Sequence, residues 1–165
     1  MQSKHTPAYA VALGGIFAAL AVVVMGLGTL IPVATFVCPV LCMLMLQIVL
    51  KICGGRMAWA WYGAVAFLSL LLAPDKEAAA IFLFLGYYPI VKPKLDRKRA
   101  SWLWKALLFN ITIAILYWLL IQLLGLTEIA REYADMGAVL TVVMLLLGNV
   151  TFFLLDKLLS RRFGK

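Results

Sequence analysis

Six long apolar stretches, residues 8–30, 33–53, 57–73, 77–91, 101–126 and 136–159, carry no Asp, Glu, Lys, Arg or His near their centres. A helix that crosses the ~30 Å hydrocarbon core of a bilayer needs about 20 such residues at 1.5 Å each. Soluble domains average about 45–50% apolar and about 25% charged residues. Here 65% are hydrophobic, 13% are charged, and the mean hydropathy is +1.04 over 165 residues. The pattern predicts an all-α integral membrane protein, one six-helix transmembrane domain that leaves no chain for a second.

Charge tests the count independently. With the N-terminus in the cytoplasm, 13 of the 15 basic residues, among them Lys51, Arg56, Lys92, Arg99 and Lys165, fall on the inner side, and only Lys76 and Arg131 fall outside. Short loops rich in Lys and Arg stay on the cytoplasmic side, and a missed helix would scramble this split. Both termini are therefore expected in the cytoplasm. The net charge of +8 gathers beside helix ends, not on a soluble surface, so no nucleic-acid partner is expected. The first stretch is longer than a signal-peptide core and lacks a strongly basic start, and it reads as a helix.

The third and fourth stretches are short and flank "APDKE", where Pro74 ends one helix and Asp75 is placed to cap the next. The fourth runs into "FLFLGYYPIVKPKLDRKR". Pro89 and Pro93 are expected to end that helix, with Tyr87 and Tyr88 as anchors at the headgroup level and Trp102 and Trp104 in the same belt.

The first helix divides unevenly around its circumference. At 100° per residue Ala8, Ala12, Gly15, Ala19 and Gly26 form one stripe, with Gly14, Ala18 and Ala21 beside it and Tyr9, Leu13, Ile16, Phe17, Leu20 and Leu27 opposite. Small residues at such spacing let another helix approach closely. The stripe either packs inside this bundle or docks another membrane subunit.

The absence of buried ionisable groups from the sequence pattern limits the chemistry. Proton-coupled exchange needs an intramembrane carboxylate, and a membrane hydrolase needs a nucleophile with its base, or a metal site. Neither set is visible, so no enzyme activity, cofactor or metal is expected. Uncharged polar groups remain. Asn110 and Asn149 fall at similar depth if the last two helices are antiparallel, Tyr117 shares a face with Asn110, and Gln122 and Thr141 lie nearer the outer end. They fit either an interhelical amide pair or a polar solute pocket opening outward. Cys38 and Cys42, near Met43 and Met45, read as small packing residues before they read as soft metal ligands, and Cys53 sits near the inner interface. The last outer loop, "TEIAREYADM", is acidic at Glu128, Glu132 and Asp135 and fits a short interfacial helix or a lid.

The six-helix layout, the Ala8-x-x-x-Ala12 pattern and the charge-free interior resemble the substrate-binding S components of energy-coupling factor (ECF) vitamin transporters. The line "PVLCMLMLQIVLKICGGRMAWAWYGAVAFLSLLLAP" also resembles helices two and three of small S-component-like bacterial membrane proteins. The resemblance implies a subunit of the bacterial cytoplasmic (inner) membrane that binds a small metabolite or vitamin. Its partners would be a membrane coupling subunit and ATPase subunits. Ala8, Ala12, Gly15 and Ala19 would dock the coupling subunit, and Asn110, Tyr117, Gln122 and Asn149 would help line the solute pocket. Ligand signatures of the riboflavin, thiamine and biotin members are missing, as is the N-terminal histidine motif of the nickel and cobalt members, which leaves the solute open. A non-transport scaffold of an envelope-assembly complex shares the same layout and is the alternative.

The topology is checked by reporter fusions. Fusions after Lys51, Arg99 and Lys165 should report a cytoplasmic location and those near Lys76 and Arg131 an external one; an external signal at Arg99 contradicts six spans.

Overall fold

A computed structural model describes residues 7–27, 34–122 and 127–163. Among the described residues seven helical elements follow one another: α1 (Pro7–Gly26), α2 (Ala34–Cys53), α3 (Gly55–Leu72), α4 (Lys76–Leu85), α5 (Tyr88–Asp96), α6 (Ser101–Gln122) and α7 (Thr127–Phe163). Six segments are long and apolar enough to cross a membrane: Ala8–Gly26, Thr35–Cys53, Gly55–Leu72, Lys76–Asp96, Ser101–Leu119 and Val139–Arg161. The chain is a multi-pass all-α membrane protein. The expected ends of the first and fifth helices, at residues 30 and 126, lie outside the described residues, as do Lys4 and His5. Contacts divide the chain into two compact units, Met1–Lys98 and Arg99–Lys165, each with a core of its own.

In the first unit, α1 runs antiparallel to α2. The Cys42 thiol donates to the Ala21 carbonyl and the Cys53 thiol to the Ala10 carbonyl, both at 3.6 Å, so eleven residues along one helix match eleven along the other. Gly54, at φ 85°, supplies the left-handed turn into α3 that a side chain would strain. A Cβ on Gly14 would stand 2.8 Å from the Met57 Cε, so the missing side chain leaves room for Met57 of α3 against α1. Met25, Leu46, Val49, Val65, Phe82 and Tyr88 are fully buried between these helices.

The "APDKE" turn is held by its own charges. Asp75 caps α4, accepting from the Ala78 N–H at 3.0 Å and from the Thr35 hydroxyl of α2 at 2.7 Å. Lys76 closes the end of α3, its Nζ donating to the Leu70 and Ala73 carbonyls at 3.0 and 2.9 Å. Helix ends in lipid need such partners because no water can satisfy their free N–H and C=O groups.

The fourth span corrects the sequence reading. Pro89 and Pro93 do not end it: the chain turns at Gly86–Tyr87 and remains helical through Asp96. Pro89 sits in the first turn of α5, where its missing N–H costs little, and the interruption falls just before it. Gly86 and Tyr87 keep right-handed backbone angles, so the span stays helical in sense while its hydrogen-bond ladder lapses. The Leu83 carbonyl, which an unbroken helix would pair with the Tyr87 N–H, accepts the Tyr62 hydroxyl of α3. Tyr88 is not a headgroup anchor, because it is fully buried in this unit; Tyr87 is half-buried with its ring against that of Tyr62, centroids 6.2 Å apart.

The second unit is the pair α6 and α7, in contact along an antiparallel seam. α7 breaks its helical geometry at Gly137 (φ 69°, ψ 167°), so the segment from Thr127 is a separate helical stretch from the long one that follows. The acidic loop is thus helical in its backbone; the side chains of Glu128, Glu132 and Asp135 lie outside the described residues. Trp102 and Trp104 are exposed near the start of α6, as a belt requires.

Replacing Asp75 with alanine removes the α4 cap and the tie to Thr35 together. The expected loss is about 1–2 kcal/mol, read as a lower melting temperature of the purified protein; an unchanged value contradicts the cap's role.

Candidate functional site

The seam of the second unit is a ladder of paired side chains. From Lys105 to Phe109 to Asn110 along α6, partners step back from Asp156 to Phe152 to Asn149 along α7. Lys105 Nζ meets Asp156 Oδ2 at 2.8 Å, and the two phenyl rings stack at 4.9 Å. Gly148 leaves room for Phe109, whose Cζ would lie 3.3 Å from a Cβ at that position.

The asparagines form a closed ring. Asn110 Nδ2 donates to Asn149 Oδ1 at 3.0 Å, and Asn149 Nδ2 returns a bond to Asn110 Oδ1 at 3.1 Å. Each NH₂ spends its other hydrogen on its own helix, Asn110 on the Ala106 carbonyl at 2.8 Å and Asn149 on the Leu145 carbonyl at 2.9 Å. With two donors per amide, both are used, and each Oδ1 keeps one lone pair free of these bonds. Toward a solute the ring offers acceptors only.

The structure brings Asn110 and Asn149 together and spreads the other two candidates along α6. Tyr117, half-buried, lies seven residues further, roughly 10 Å at helical rise, and exposed Gln122 lies twelve residues further, roughly 18 Å. Thr141 turns back on its own helix, its hydroxyl donating to the Gly137 carbonyl at 3.0 Å beside the break.

Sequence reasoning missed the ion pair. Lys105 is counted among inner-side cations, yet its side chain is only 6% exposed and that of Asp156 15%. The signal was present: the antiparallel register that matches Asn110 with Asn149 also matches Lys105 with Asp156 one turn or so nearer the helix ends. A buried pair of this kind is strongly destabilised when one partner alone is removed.

On α1, Gly14, Ala21 and Met25 are buried within the first unit, with Ala10 and Ala18 and the larger Leu13, Phe17, Val22 and Val24 half-buried beside them. Ala8, Ala12, Gly15 and Ala19 are all exposed, and a Cβ on Gly15 would meet nothing within 4 Å. Of two adjacent small stripes, this unit uses the second. The thiols of Cys42 and Cys53 are engaged with α1 carbonyls, and among the described residues no three His, Cys, Asp or Glu side chains gather as a metal site would require.

No family model, curated protein or solved structure matches the chain.

The amide ring predicts coupled stability. Asn110→Leu or Asn149→Leu alone strands the partner's amide in a dry seam and should cost about 1–2 kcal/mol; the double variant should cost clearly less than the two losses added. Strict additivity in thermal or denaturant unfolding contradicts the ring.

Proposed function

We propose that the chain is the solute-binding subunit of an ATP-driven importer of the ECF type, in the bacterial cytoplasmic membrane with both termini inside. The observation that carries this reading is the free stripe on α1. Ala8, Ala12, Gly15 and Ala19 present an exposed, nearly smooth surface, while the stripe beside it serves the unit's own packing. Helices in lipid associate by close fit, and a surface this smooth suits the approach of another helix. The partner is a membrane coupling subunit, itself driven by ATPase subunits; the ionisable side chains buried in α6 and α7, Lys105 and Asp156, lie toward the helix ends and hold each other. In this reading the free acceptor positions of the Asn110–Asn149 ring, with Tyr117 and Gln122 further along α6, line the solute's path.

One observation favours the alternative, a scaffold in an envelope-assembly complex that transports nothing. The amide ring spends all four of its N–H donors on the protein, as a purely structural pair would. The two readings differ in the company the protein keeps. Mild-detergent purification should recover ATPase-linked subunits under the first and wall-synthesis proteins under the second.

The docking stripe is tested by Ala12→Leu and Ala19→Leu. Each adds a branched side chain where two backbones would meet, so each should leave the melting temperature of the purified chain unchanged while abolishing recovery of the coupling subunit. Loss of folding in both variants means that the stripe packs within the chain and contradicts docking.

A further inference from the structure

The first unit buries polar atoms that nothing in it satisfies. Gln47 on α2 is 8% exposed and Trp61 on α3 is 3% exposed, yet Gln47 Oε1 and Trp61 Nε1 have no hydrogen-bond partner. A buried donor or acceptor left unpaired is among the costlier features a fold can carry.

The register places the two side by side in depth. The bonds from Cys42 to Ala21 and from Cys53 to Ala10 set Gln47 level with Ile16 of α1. The chain reverses at Gly54 between α2 and α3, and Gln47 and Trp61 each stand seven residues from it, so Trp61 lies at the level of Gln47 on the neighbouring helix. Both side chains are buried on helices that pack together, one ending in an acceptor and the other in a donor. Trp61 meets the ring of Phe82 edge-on at 6.4 Å, and Phe82 lies 5.9 Å from Tyr62. The interruption of the fourth span follows immediately after Phe82, Leu83, Phe84 and Leu85. Spans broken by glycine and proline within a membrane commonly border a binding site, since irregular backbone there is tolerated only inside protein or along a cavity.

We propose that Gln47 and Trp61 form a ligand-binding pair inside the first unit, which takes a small, flat, neutral molecule bearing a carboxamide, lactam or ureido group. The ligand's carbonyl accepts from the Trp61 indole N–H, and its N–H donates to Gln47 Oε1. Trp61, Phe82 and Tyr62 give the site an aromatic wall. Neutrality follows from the level of the pair: Lys51 and Arg56, both exposed, stand four and five residues nearer the helix ends than Gln47 and Trp61, and Asp75, Lys76 and Glu77 lie at the opposite ends. This site is independent of the coupling proposed above, because binding is read on the purified chain with no partner present.

The test uses the full chain in lipid nanodiscs, with benzamide as the probe and acetophenone as its counterpart of like shape that lacks the N–H donor. Benzamide should raise the melting temperature of the native chain more than acetophenone does, and Gln47→Met and Trp61→Phe should each abolish that difference. Without ligand, Gln47→Met should melt at or above the native temperature, since it removes an unsatisfied polar atom at similar volume, whereas Trp61→Phe also leaves a cavity and is read only through the probe difference. Equal effects of the two probes on the native chain overturn the proposal. So does a clear destabilisation of ligand-free Gln47→Met, which would mean that the amide is already paired within the unit.

Discussion

Helices surrounded by lipid gain little by hiding apolar surface from one another, so their association rests on close fit and on hydrogen bonds. Among the described residues, close fit and polar pairing organise both units. In the first unit α1 closes on its neighbours through Gly14 and Ala21, residues small enough to admit the Met57 side chain and the Cys42 thiol, and two cysteine thiols reach α1 carbonyls. In the second, an ion pair, a stacked ring pair and an amide ring hold α6 to α7. Much of the remaining surface of α7 between Val139 and Leu147 is large, apolar and exposed, as a helix facing lipid can be.

The same scarcity of water governs the backbone. Pro89 has no N–H to offer the Leu85 carbonyl, and the ladder of the fourth span lapses over the preceding turn. The hydroxyl of Tyr62 answers on the Leu83 carbonyl, and the ring of Tyr62 packs against Phe82 and Tyr87 on either side of the interruption. At the far end of α4, Asp75 and Lys76 satisfy a helix start and a helix end within one turn of chain. Gln47, Trp61 and Ser69 of α3 stand apart from this economy as polar groups that the unit leaves unsatisfied.

Some of this was legible in the sequence. The spans follow from apolar length, the Asp75 cap from its place after Pro74, and the amide pair from equal depth on antiparallel helices. The path of the fourth span did not follow, because a proline that ends a helix and a proline that begins the next one read alike. Tyr88 looked like a belt residue for a related reason: only the continuation of the chain beyond it puts its ring in the core. The Lys105–Asp156 pair was hidden by its position near helix ends, where cations are usually solvated. Which of the two small stripes of α1 packs inside depends on where α2 and α3 lie, a fact of tertiary structure that no periodicity within α1 contains.

The division of α1 into a packed stripe and a free one is the claim on which the functional reading rests. It is tested most directly by magnetisation transfer from lipid acyl chains to alanine methyl groups, measured by NMR on the purified chain in nanodiscs. The methyls of Ala12 and Ala19 should show strong lipid contacts and that of Ala21 none. Silence at Ala12 and Ala19, or lipid contact at Ala21, would contradict the account.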